Sequence, residues 1–185
     1  IIRTMNVLID IPVYEPLLNA LKSLTGINIE IIHFPEERSR FLPKELIGNC
    51  DAILCTFPPE NYTDMRNLKY LQISSAGFNQ VVGKGFEGRN VKVCNALGVF
   101  DIPIAEWNIS MMVNLARDMR SLIRNQESQV WDRSARFQKE IRGLVAGIWG
   151  YGGIGRETAR LAKALGLKVH VLTRNGIKER KNIYC

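Results

Sequence analysis

The stretch RGLVAGIWGYGGIGRETARLAKALGLKVHVLTRNG, residues 142–176, decides how the rest of the chain is read. LVAGIW is a short apolar run of buried-strand type, and GRETARLAKALG has helical spacing, with Ala159, Leu161, Ala162 and Leu165 placed to pack on a sheet. KVHVLT then reads as a second strand. Between the first strand and the helix stand Gly150, Gly152 and Gly155, a G-x-G-x-x-G spacing. Glycines alone turn chains in many contexts, but a strand, this spacing, a helix and another strand within about thirty residues form the β-α-β setting in which the spacing holds a dinucleotide. Gly150 suits the tight turn, Gly152 lets main chain approach a pyrophosphate, and Gly155 lets helix and strand pack closely. Tyr151, Gly153 and Ile154 complete the turn, and the helix aims its unpaired N–H groups and positive dipole end at the phosphates.

The end of the second strand bears on which dinucleotide is held. An NAD-type site places an acid about twenty residues past the glycines to bind the ribose hydroxyls. Here the position carries Thr173, followed by Arg174. A hydroxyl does not repel a 2′-phosphate and a guanidinium can bind one in a paired fashion. Lys178, Arg180 and Lys181 add positive charge just beyond. These residues favour NADP(H) over NAD(H).

Upstream, short apolar runs alternate with helical segments. NVLIDI, INIEIIHF, DAILCTF, LKYLQISS and VKVCNA read as strands, and EPLLNALKSLTG and PKELIGN as helices, the first stopped by Gly26. That rhythm predicts a parallel sheet with helices on both faces. From Ile104 to about Asn125 one long helix is expected, with Pro103 at its start and Ile104, Met111, Leu115, Met119 and Leu122 forming one apolar face. The fold expected is α/β: a flavodoxin-like small domain over residues 1–98, an interdomain helix and connection over 99–140, and the first half of a Rossmann-type, doubly wound nucleotide-binding domain over 141–185.

The 185 residues are 46% hydrophobic and 23% charged, ordinary for a globular protein, and no apolar run approaches the ~20 residues that span a bilayer. Net charge is +7, but the basic residues are scattered and aromatics are 8%, so nucleic-acid binding is weakly supported and a phosphorylated small ligand fits the charge equally well. Of four cysteines, Cys50, Cys55, Cys94 and Cys185, none forms a CxxC pair. Cys55 and Cys94 fall in strand-like runs, where a buried reduced thiol is expected, and a cytoplasmic location follows as the expectation.

With these motifs in place, the chain resembles the D-isomer-specific 2-hydroxyacid dehydrogenase family. The resemblance is carried by LKYLQISSAGFNQV, VKVCNALGVFDIPIAEWNISMMVNLARDMR and IRGLVAGIWGYGGIG, in that order and at the family's spacing. It implies two domains with a cleft between them, and an NAD(P)-dependent oxidoreductase acting on small D-2-hydroxy acids or reducing 2-keto acids such as glyoxylate, hydroxypyruvate or phosphohydroxypyruvate. It also implies that the substrate carboxylate is held by main-chain N–H groups at Ser75, Ala76 and Gly77, where small residues leave consecutive amides open to an anion. Asn79 and Val82 stand where family members commonly carry acids. Glu106 is taken as a structural carboxylate beginning the long helix, and that helix with Trp131 matches the region through which family members form homodimers. The family's catalytic Arg, acid and His fall, by resemblance, beyond position 185; His33 and His170 are expected to be structural. A non-catalytic, dinucleotide-sensing interaction protein of corepressor type is the alternative reading.

Overall fold

The computed structural model describes residues 4–35, 38–133 and 138–174. Lys178, Arg180, Lys181 and Cys185 lie outside the described residues. The chain divides into two compact units, Ile1–Leu97 and Gly98–Cys185.

The first unit is built on five parallel strands, β1 (Met5–Asp10), β2 (Ile27–Ile31), β3 (Ala52–Cys55), β4 (Tyr70–Ile73) and β5 (Lys92–Cys94). Their order in the sheet is β2-β1-β3-β4-β5, the flavodoxin-like winding. Helices α1 (Glu15–Lys22) and α2 (Lys44–Ile47) connect the first three strands, whereas short 3-10 turns serve between β3 and β5. The register Leu8–Ile53–Leu71 puts these side chains on one face, and all three are buried in a core shared with Ile47, Met65 and Phe86. Each buried apolar side chain of this size contributes about 1.5–3 kcal/mol.

The second unit contains α3 (Asp101–Ala116), α4 (Met119–Glu127), β6 (Val145–Trp149), α5 (Gly153–Ala164) and β7 (Lys168–Leu172). The strands β6 and β7 pair in parallel, Val145 opposite Lys168 through Trp149 opposite Leu172. Ala146, Ala159, Ala162, Leu167 and Val169 form the buried core, with Ile109 and Met112 of α3 packed against it. Asn108 Nδ2 donates to the buried Thr158 Oγ1 at 3.2 Å, which ties α3 to α5. The helix running on from Gly98 therefore packs as part of this unit. No helix among the described residues is long and apolar enough to cross a membrane.

Four expectations are corrected. The long helix is two helices: α3 ends at Ala116, and Asp118 adopts φ +45°, a left-handed conformation that stops helical propagation. The face turned to the core is Ala105, Ile109 and Met112, while Ile104, Leu115, Met119 and Leu122 are exposed. Because α3 is apolar nearly all round, spacing could not tell which side would be covered. On α5 the buried positions are Gly155, Thr158, Ala159 and Ala162, and Leu165 is exposed. Cys94 is exposed because β5 is the edge strand, whereas Cys50 and Cys55 are buried free thiols. Burial pushes the Cys50 thiol up to about 11 and the Cys55 thiol up to about 12.

Candidate nucleotide and anion sites

In the second unit the dinucleotide candidate forms where β6 gives way to α5. Gly150 has φ +98°, which a side chain would resist, and its N–H donates to the Leu172 carbonyl at 2.8 Å. That bond sets the glycine turn beside the end of β7, where Thr173 is half-buried and Arg174 exposed. Tyr151 and Ile154 are half-buried on the same turn. Gly152 precedes α5 in an extended conformation, and a Cβ there would meet nothing within 4 Å, so the space in front of this main chain is open to a ligand. Gly155 is the opposite case. A Cβ at Gly155 would collide with the Gly150 carbonyl, so the first turn of α5 rests directly on the end of β6. The three fingerprint glycines thus serve three different purposes, and this arrangement fits a diphosphate at the helix N-terminus.

Two further features complete this end. The first turn of α5 carries no acid, and no side chain of Gly152 caps it. Asp101, the first residue of α3, supplies a carboxylate from outside: a Cβ on Gly153 would fall inside it. The first-turn acid of α3 is therefore Asp101, and Glu106, expected there, is an exposed residue one turn further on. Spacing could not have found Asp101, since only the fold brings it to Gly153.

The anion candidate, in the first unit, is the loop after β4. Every carbonyl of Ser75, Ala76 and Gly77 is engaged. Ala96 N–H donates to Ser75 O at 3.0 Å, Asn95 Nδ2 to Ala76 O at 2.8 Å, and Ser75 Oγ to Gly77 O at 2.8 Å. Gln80 Nε2 holds the loop from the other side, donating to Ser75 Oγ at 2.8 Å and to Thr56 O at 3.0 Å. Among the described residues no group accepts from the N–H of Ser75, Ala76 or Gly77. Three consecutive amides with their carbonyls pinned away are what a carboxylate requires. Gln80 and Asn95 were not singled out by sequence; their partners lie 5 to 24 residues away, beyond any local pattern. His33 and His170 are both exposed, the latter on β7 opposite Gly147.

Residues 109–184 match the family model described as D-isomer specific 2-hydroxyacid dehydrogenase, NAD binding domain, so the matched segment holds the glycine turn, α5 and both of its strands. Over that segment the chain is similar to the nucleotide-binding domain of the D-isomer-specific 2-hydroxyacid dehydrogenases. Among D-2-hydroxyacid dehydrogenase relatives, the chain is 32% identical over 104 residues to the D-3-phosphoglycerate dehydrogenase of Archaeoglobus fulgidus, covering 56% of this chain and 20% of that protein. It is 28% identical over 104 residues to the hydroxypyruvate reductase of Thermotoga maritima, covering 56% and 34%. In fold it is similar to the TT0316 protein of Thermus thermophilus, with TM-score 0.75 and 22% identity over 95% of this chain and 58% of that one. The matches thus span about a third or less of these two curated proteins and a little over half of the solved chain.

Proposed function

We propose that the protein is an NAD(P)-dependent oxidoreductase that reduces small 2-keto acids, or oxidises the corresponding D-2-hydroxy acids, of the glyoxylate, hydroxypyruvate or phosphohydroxypyruvate class. The observation that carries the reading is the β6–α5–β7 unit, in which Gly155 rests on the Gly150 carbonyl and the space before Gly152 is open. The main chain of Gly150 to Gly155, with Tyr151 and Ile154, holds the diphosphate, and Thr173 and Arg174 receive the adenosine ribose. A nicotinamide dinucleotide, when bound, supplies the hydride for the carbonyl carbon. The substrate carboxylate is received by the amides of Ser75, Ala76 and Gly77.

NADP(H) is the preferred cofactor in this reading, because Thr173 carries no charge and Arg174 is cationic where an NAD-selective site needs an acid. The protein works as a homodimer, for which Trp107, Leu115, Leu122 and Trp131 supply exposed apolar surface. It resides in the cytoplasm, in keeping with its free cysteines.

The test is an assay of NADPH and NADH oxidation by the full-length protein, with the catalytic Arg, acid and His that the resemblance places beyond position 185, against a panel of 2-keto acids. Turnover of at least one, faster with NADPH, is expected. A dead panel in a protein that binds the dinucleotide would overturn the catalytic reading in favour of dinucleotide sensing.

A further inference from the structure

We infer that Asp101 is a built-in competitor for the diphosphate, and so sets how tightly the dinucleotide is held. The inference rests on the dinucleotide reading above and adds a residue that neither the glycine fingerprint nor the ribose-binding end of β7 includes.

The N-terminus of α5 lacks the groups that ordinarily satisfy a helix start. A helix leaves its first N–H groups without intrahelical partners and concentrates positive potential there. A side-chain oxygen before the helix, or an acid in its first turn, ordinarily answers both. This helix of twelve residues has neither: its cap residue is Gly152, and no acid lies in the first turn. The negative group that does stand there belongs to Asp101, whose carboxylate occupies the volume that a side chain on Gly153 would fill. Asp101 is half-buried and begins α3, so its placement is fixed by that helix, which packs along α5 through Asn108 and Thr158.

A diphosphate and a carboxylate are both acceptors and both anions, and they compete for the same helix end. For the nucleotide to settle at Gly152 and Gly153, the Asp101 carboxylate must rotate away and lose the favourable field of α5. The affinity of every dinucleotide is reduced by that amount. Since NADH and NADPH share the diphosphate, the reduction is the same for both. Asp101 therefore tunes affinity without touching the choice between cofactors, which falls to Thr173 and Arg174. A side chain at residue 153 would have to displace the same carboxylate.

The experiment is a calorimetric titration of NADH and of NADPH into the full chain as wild type, D101N and D101S. The amide keeps the shape and removes the charge, and the serine removes the charge and withdraws the side chain from the Gly153 position. Both variants should bind both cofactors about tenfold more tightly, an effect of the size expected for a charge at a partly buried helix end. Unchanged or weaker binding in a variant that melts at the wild-type temperature would overturn the role of Asp101 while leaving the dinucleotide reading intact. Failure of wild type and both variants to bind either cofactor would overturn that reading and the inference together. A stability cycle reads the contact without ligand: Gly153→Ala should lower the melting temperature in the wild type and much less in D101S. Equal losses in the two backgrounds would also contradict the inference.

Discussion

The two candidate sites solve one problem by opposite means. Both follow the C-terminal end of a parallel strand, and both must present main-chain N–H groups to an anion. At residues 75–77 the backbone is held by side chains: Asn95, Gln80 and the Ser75 hydroxyl engage the loop and its carbonyls, which leaves the amides as the exposed polarity. At residues 150–155 no side chain does this. The conformation comes from the absence of Cβ atoms and the field from the helix that follows. A loop held by side chains should lose function gradually as its hydrogen bonds are removed. A turn held by glycine should fail abruptly at Gly155, where a Cβ meets main chain that cannot swing aside.

That contrast can be broken or sharpened in order of expected effect. Gly155→Val should be the most damaging change, because its side chain meets the Gly150 carbonyl rather than a flexible neighbour. A loss of about 2–4 kcal/mol in urea-induced unfolding is expected, in the range typical of overpacked or strained sites. Gly77→Ala, where a Cβ meets nothing within 4 Å, should change stability by less than about 0.5 kcal/mol. If the two glycines prove equally sensitive, the contrast is wrong.

Next in size is Arg174→Ala. It should raise the Michaelis constant for NADPH by roughly tenfold or more, the equivalent of one charge-assisted hydrogen bond, and leave that for NADH nearly unchanged. Equal effects on both cofactors would remove the 2′-phosphate argument.

Asn95→Ala frees the Ala76 carbonyl and should cost about 1 kcal/mol in stability, with a several-fold rise in the Michaelis constant for the keto acid and little change for the nucleotide. Gln80→Ala should act in the same direction, since the Ser75 hydroxyl and the Thr56 carbonyl both lose a donor. A change confined to the nucleotide would sever this loop from substrate binding.

A further effect, visible only at alkaline pH, concerns the thiols. Cys50 and Cys55 have folded-state values raised to about 11 and about 12 by burial, so the folded state keeps their protons where the unfolded chain has released them. Stability from this source is complete below the ordinary thiol value near 9 and falls as pH rises towards 11 and 12. Denaturant titrations should therefore show a decline that begins above about pH 9 and disappears in a Cys50→Ala, Cys55→Ala double variant. At neutral pH a thiol reagent should modify the exposed Cys94 first among the three described cysteines.

How much of this was legible beforehand follows from the range of the interactions. Each of the seven strands among the described residues was marked by a short apolar run bounded by turn residues, which is local information, and the glycine fingerprint is local too. The break at Arg117 and Asp118 was not, because neither Gly nor Pro marks it and the apolar spacing from Met111 through Leu115 to Met119 runs straight across. Leu115 illustrates the second gap: its spacing suits a buried stripe, yet it is 82% exposed, because every side of α3 is apolar enough to have served. Asn95, Gln80 and Asp101 formed the third. Their importance lies in a carbonyl, a hydroxyl and a helix end that only the folded chain brings to them.

The central claim is that a dinucleotide lies against bare main chain at Gly152. Its most direct test is calorimetric titration of NADPH and NADH into the wild type and Gly152→Val. The valine side chain enters open space, so the variant should melt with the wild type, while saturable binding in the wild type should vanish in the variant. Equal binding by the two proteins, or none by the wild type, would contradict the account.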